Sequence, residues 1–213
     1  MANPTKSPVQ SSRRAYDSPA DALEVEYEIK KSRFIGRAAR AQSREDAMAM
    51  LAQAKQDYPD ARHHCWAYLI GDPHSPLTAA MSDDGEPSGT AGKPILNVLQ
   101  HKNVGDIMLI VIRYFGGIKL GAGGLVRAYS HSAQQVMSEL TTETQIPMCT
   151  AVVYGSYALE QSLRHWLSGH GGCVIQMEYA EQVACHLQLP DAHLVALRLF
   201  TESQGAELAL EDQ

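Results

Sequence analysis

IMLIVIRYFGGIKLGAGGLVR, residues 107–127, joins six consecutive apolar residues to a loop carrying five glycines and then to the start of a helix. A short run that is apolar on both faces reads as a strand covered on both sides, and so central in its sheet. Beyond the loop, Leu125, Tyr129, Ala133, Val136, Met137 and Leu140 recur at helical spacing and give one apolar stripe. A buried strand feeding a glycine-rich turn and a helix places the chain among α+β or α/β proteins.

Upstream, Val25, Tyr27 and Ile29 alternate with charged residues, which predicts a half-buried strand over Glu24–Lys30, and a second strand follows over Phe34–Ala39. Ser43 with Asp46 three residues on has the form of a capping box, and Tyr58-Pro59 closes the helix that it opens. Cys65–Ile70 and Leu77–Ser82 read as strands, and the polar loop SDDGEPSGTAGKP (82–94) leads to a short helix with Pro94 in its first turn. Downstream, Glu143–Pro147 is short, polar and closed by proline, the form of a domain boundary. Past it the order is strand, helix, strand, strand, helix, strand, a ferredoxin-like β-α-β-β-α-β unit over 147–213. Residues 1–20, rich in Pro and Ser, read as a disordered tail, leaving 21–142 as the amino-terminal domain.

The charge of -6 is unevenly placed: Arg164 and Arg198 face eight acids after residue 146, whereas Lys93, Lys102, Arg113, Lys119 and Arg127 face only Asp106 over residues 87–138. Such segregation bears on partners rather than fold. No apolar stretch reaches membrane-spanning length and no secretory leader is read, so the expectation is a cytoplasmic protein without a membrane. Cys65, Cys149, Cys173 and Cys185 form no C-x-x-C pair. Free thiols are expected, with a Cys173–Cys185 pairing across a hairpin as the alternative.

The glycine-rich stretch offers backbone N–H groups and a helix N-terminus to an anion, with Arg113, Lys119 and Arg127 as point charges around Gly116, Gly117, Gly121, Gly123 and Gly124. Its bland reading is a tight crossover whose glycines serve packing alone. Neither a Walker loop nor a Rossmann fingerprint is present. Thr90, Gly92 and Lys93 begin a second glycine-led helix, and two such helix starts on one face would form a phosphate groove. Asp83-Asp84-Gly85-Glu86 reads either as a magnesium or general-base site or as a turn whose acids cap nearby N–H groups or pair with Lys93 or Arg113. His63-His64-Cys65 has no further ligands at a metal-binding spacing; one histidine is expected in the interior and the other in a loop. No cofactor, metal or catalytic residue is assigned. Tyr114 and Phe115 could stack on bases where the strand emerges.

These same segments, HHCWAY (63–68), SDDGEPSGTAGKP (82–94), GKPILNVLQ (92–100), MLIVIRYFGG (108–117) and IKLG (118–121), resemble the signature of the IMPACT family over about residues 24–140. The carboxy-terminal part is similar to the small domain of its bacterial YigZ-type members. The resemblance implies a ribosomal-protein-type split β-α-β domain like domain four of elongation factor G, followed by a domain like its domain five. It also implies a translation-regulating, RNA- or ribosome-associated role, and brings no catalytic residues to carry over. Eukaryotic members engage a stress-response regulator through an added amino-terminal domain for which no counterpart is read here, so that partner is not inferred. The expected function is nucleic-acid binding through the glycine-rich groove, with the acidic carboxy-terminal domain open to a protein partner. The alternatives are a magnesium-dependent enzyme acting on a phosphorylated small molecule, and a purely protein-binding regulator.

Overall fold

The computed structural model describes residues 14–210. They divide into two compact units, Tyr16–Gln145 and a second from Ile146 onward, in a two-domain α+β fold.

The first unit is built on an antiparallel sheet of β2 (Leu23–Ile29), β3 (Ser32–Arg40), β4 (His63–Ile70), β5 (Thr78–Ser82) and β6 (Ile107–Tyr114), in the order β2-β3-β6-β4-β5. β6 is the middle strand, as its apolar run predicts. Ile107, Leu109 and Val111 face one core, and Met108, Ile110 and Ile112 face another. The first core is closed by α2 (Gly92–Lys102) and α3 (Ala122–Glu139), the second by α1 (Arg44–Asp57). Both faces are dry, which is why no polar residue interrupts the run. α1 connects β3 to β4, and β6 lies between them, antiparallel to both. That is a split β-α-β arrangement. The Ser43–Asp46 capping box is present, with Asp46 N to Ser43 Oγ at 3.0 Å.

Two expectations at the edges of this unit are corrected. Tyr16–Pro19, placed by the sequence reading in a disordered tail, is strand β1; residues 1–13 of that tail lie outside the described residues. Most of the segment read as a linker is also a strand, β7 (Thr142–Gln145), pairing antiparallel with β1. Polar edge strands of four residues carry too little periodicity to be read from sequence.

The second unit runs β8 (Met148–Gly155), α4 (Leu159–Gly169), β9 (Cys173–Tyr179), β10 (Val183–Pro190), α5 (Leu194–Ser203) and β11 (Glu207–Leu210). Its antiparallel order β11-β8-β10-β9 is the ferredoxin-like one. Ala151, Val153, Cys185, Leu187 and Leu189 pack beneath Leu163, Leu167 and Leu197. In the hairpin, Cys185 lies opposite Met177, and Cys173 opposite Gln188, so the Cys173–Cys185 pairing does not form. All four cysteines are free thiols. No helix among the described residues is long and apolar enough to cross a membrane.

Candidate functional site

The two helix starts predicted to form one groove differ in their chemistry. At α2 the Asp83 carboxylate accepts from the backbone N–H groups of Gly89 (2.7 Å), Ala91 (2.9 Å) and Gly92 (2.8 Å). A side-chain anion thus already occupies the place an external phosphate would take. Burial pushes the Asp83 carboxyl up, but its three N–H donors together hold it below the ordinary carboxylate range. Thr90 is buried, its hydroxyl donating to the Pro87 carbonyl at 2.6 Å. Lys93 is exposed. The α2 half of the expected groove therefore offers a cation, with the amides of Gly89, Ala91 and Gly92 already taken by Asp83.

The start of α3 is open. Gly116 presses against the β2–β3 turn, where a Cβ would collide with the Lys31 carbonyl, and its N–H goes to Ser32 Oγ at 3.2 Å. Gly121 is the N-cap with φ of +71°, a conformation that side-chain-bearing residues rarely adopt. Among the described residues no side chain accepts from the N–H groups of Ala122, Gly123 and Gly124, and the first turn holds no acid. Beside them lies a pocket of about 330 Å³. Arg62, His63, Arg113 and Lys119 bring charge or ring nitrogens to it, and Pro87, Phe115, Leu120 and Leu125 supply apolar wall. A second pocket of about 510 Å³ on the flank of α3 includes Lys30, Gly124, Arg127 and His131 and shares Leu120. Gly117 lines neither pocket.

Beneath the first pocket runs a buried polar network. Glu86 Oε1 accepts from Arg113 Nη1 at 2.5 Å and from the Tyr129 hydroxyl at 2.9 Å. The Cys65 thiol contacts that hydroxyl at 3.3 Å and donates to the Asp83 carbonyl at 3.0 Å. Burial pushes the Cys65 thiol up to about 12 and drives the Tyr129 phenol well above its ordinary value, so both stay protonated donors. His63 Nδ1 lies 2.8 Å from the Asp84 carbonyl, which only accepts, so the proton sits on Nδ1. Its Nε2 is 4.0 Å from Glu86 Oε1. Both histidines belong to β4, contrary to the expectation of one in a loop. Burial lowers the pKa of His64.

The acidic turn therefore takes its structural form. Asp83 caps α2, Asp84 receives the His64 N–H at 2.6 Å, and Glu86 pairs with Arg113. Gly85 sits in the left-handed region beside the His63 ring. Of the three charges expected around the glycines, Arg113 is buried and paired with Glu86, whereas Lys119 and Arg127 are exposed in different pockets. Sequence reasoning missed Arg62, an exposed residue directly before the His-His pair. Its contribution depends on β4 lying beside β6, a non-local contact with no local signature. Phe115 is 48% exposed, while Tyr114 packs on the second core.

Residues 30–137 match the model of the Impact N-terminal domain. The YigZ member of the IMPACT family in Escherichia coli is 40% identical over 198 residues, covering 91% of this chain and 97% of that protein. A family member from Haemophilus influenzae is 46% identical over 151 residues, covering 70% of this chain and 73% of that one. A solved structure described as a hypothetical protein superposes with a TM-score of 0.68 at 35% identity, over 94% of this chain and 98% of that chain. Similarity that spans both units as well as the turn holding Asp83 and Glu86 makes the chain a member of the IMPACT family.

Proposed function

We propose that this chain binds RNA through phosphate groups received at the N-terminus of α3, in a role connected with translation. The observation that carries the reading is the contrast between the two helix starts: at α2 the Ala91 and Gly92 amides are capped by Asp83, whereas the α3 amides have no side-chain acceptor among the described residues. Around α3, Arg62, Lys119, Lys30 and Arg127 have no ion-pair partner among the described residues. The translation link follows what membership of the family implies. The acidic carboxy-terminal unit suits a basic protein partner rather than nucleic acid. Magnesium-dependent chemistry at the acidic turn has less support, because Asp83, Asp84 and Glu86 are all engaged by internal donors.

Fluorescence anisotropy with hairpin and single-stranded RNA tests the reading. If four cations engage a single strand, affinity falls roughly fiftyfold between ~50 and ~200 mM salt. The Lys119→Glu/Arg127→Glu variant should abolish binding at low salt. Undiminished binding by that variant, or none by the unaltered chain, would overturn the proposal.

A further inference from the structure

We infer that the pocket at the α3 N-terminus takes a phosphate monoester with its nucleoside, that is, a 5′-phosphorylated nucleotide, in preference to a phosphodiester within a chain. The inference deepens the phosphate-binding reading above and rests on it.

The donors are too many for a diester. A phosphodiester presents two non-bridging oxygens and one charge, whereas a monoester presents three oxygens and about -1.5 to -2 at neutral pH. The pocket includes Gly121 and Ala122 at the uncapped helix start, together with Arg62, Lys119, His63 and Arg113. Among these, Arg62 and Lys119 are exposed and unpaired among the described residues. His63 is fixed through Nδ1 on the Asp84 carbonyl, with Nε2 4.0 Å from Glu86 Oε1, so it shapes the pocket wall and is not counted among the donors.

Arg113 supplies a separate sign of a missing partner. The residue is 6% exposed and lines the pocket, yet its Nε is buried without an acceptor among the described residues. Its Nη1 donates to Glu86, and the guanidinium lies over the Phe34 and Phe115 rings, neither of which serves Nε. A buried guanidinium N–H without an acceptor is costly, and an oxyanion drawn into the pocket floor would relieve it.

The pocket's size and walls identify the rest of the ligand. About 330 Å³ is at the small end of ligand pockets, suited to one nucleotide rather than a run of them. Phe115 is 48% exposed in the pocket wall, with the Arg113 guanidinium 5.7 Å from its ring centre. An exposed ring beside an anion site provides a stacking surface for one base, with no demand on its identity. Pro87 and Leu125 extend the apolar wall.

The test uses the full chain and two single-stranded RNAs of about ten nucleotides, identical except for a 5′-phosphate or a 5′-hydroxyl and labelled at the 3′ end. The phosphorylated RNA should bind about tenfold more tightly, and that advantage should shrink below about threefold in Lys119→Ala and in Arg62→Ala. Both substitutions are at exposed positions and should leave the thermal transition unmoved. Displacement of the phosphorylated RNA by adenosine 5′-monophosphate, but not by adenosine, would support a free nucleotide as ligand. A 5′-phosphate preference without such displacement would support an RNA end. Equal affinity for the two RNAs overturns the monoester assignment and leaves the broader phosphate-binding reading standing. Absence of binding by either at low salt overturns both.

Discussion

Glu86 is 8% exposed, and its carboxylate receives Arg113 and Tyr129 on the same oxygen. A pair buried this deeply contributes little net stability compared with apolar replacements, but removing one member leaves the other charged and uncompensated. Glu86→Gln should therefore lower the stability of the amino-terminal unit by about 3–5 kcal/mol, seen as an early transition in calorimetry. The double replacement Glu86→Leu/Arg113→Met should recover most of that loss, since no charge remains without its partner. If the double variant were as unstable as the single one, packing rather than electrostatics would govern the network. The same arithmetic explains the placement of the pair: it holds Arg113 against the Phe34 and Phe115 rings, 5.5 and 5.7 Å from their centres, and so shapes the pocket floor.

α2 starts on Gly92 and α3 follows the N-cap Gly121, and what separates them is whether a carboxylate from elsewhere in the chain arrives. Asp83 reaches α2 from a turn eight and nine residues before the amides of Ala91 and Gly92. Because its folded pKa is depressed, its contribution is complete above the ordinary carboxylate range and is lost as acid protonates it in the folded chain. Asp83→Asn should lower the melting temperature near neutral pH by an amount equivalent to about 1–2 kcal/mol. The difference from the unaltered chain should close as the pH falls through the carboxylate range, and a gap constant with pH would refute the linkage. The contrast also marks where sequence reading stops. The Ser43–Asp46 capping box and the β6 run were legible because their partners lie within a few residues or because burial on both faces leaves a continuous apolar record. Of the residues that line the pocket at the α3 start, Gly121 and Lys119 had been singled out by spacing and charge. The capture of Arg113 by Glu86 was foreseen only as one of several pairings, and the arrival of Arg62 beside Lys119 depends on strand order. Loop carboxylates and cross-strand neighbours are chosen by the tertiary fold, which no local pattern records.

Over the whole molecule, the boundary between the two units is a matter of strand pairing rather than linker composition. β1 and β7 join residues more than a hundred positions apart, Tyr16 opposite Gln145 and Pro19 opposite Thr142. Side chains tie this ribbon to the first unit. The Tyr16 hydroxyl donates to Asp106 Oδ2 at 2.8 Å, while Asp106 Oδ1 receives the Gly71 N–H at 2.7 Å. Arg40 reaches Glu143 at 2.7 Å and Gln145 at 2.8 Å. A fragment ending at Thr142 and starting at Asp21, the limits that composition alone would set, loses all of β1 and leaves the buried Asp106 carboxylate with one donor fewer. A fragment spanning Tyr16–Gln145 keeps every one of these contacts. With hydrogen bonds to charged groups each worth about 1.5–3 kcal/mol, the shorter fragment should be less stable by at least about 3 kcal/mol. Parallel thermal melts of the two fragments decide the matter, and coincident melts would mean that the β1–β7 ribbon is an ornament on the first unit rather than part of its fold.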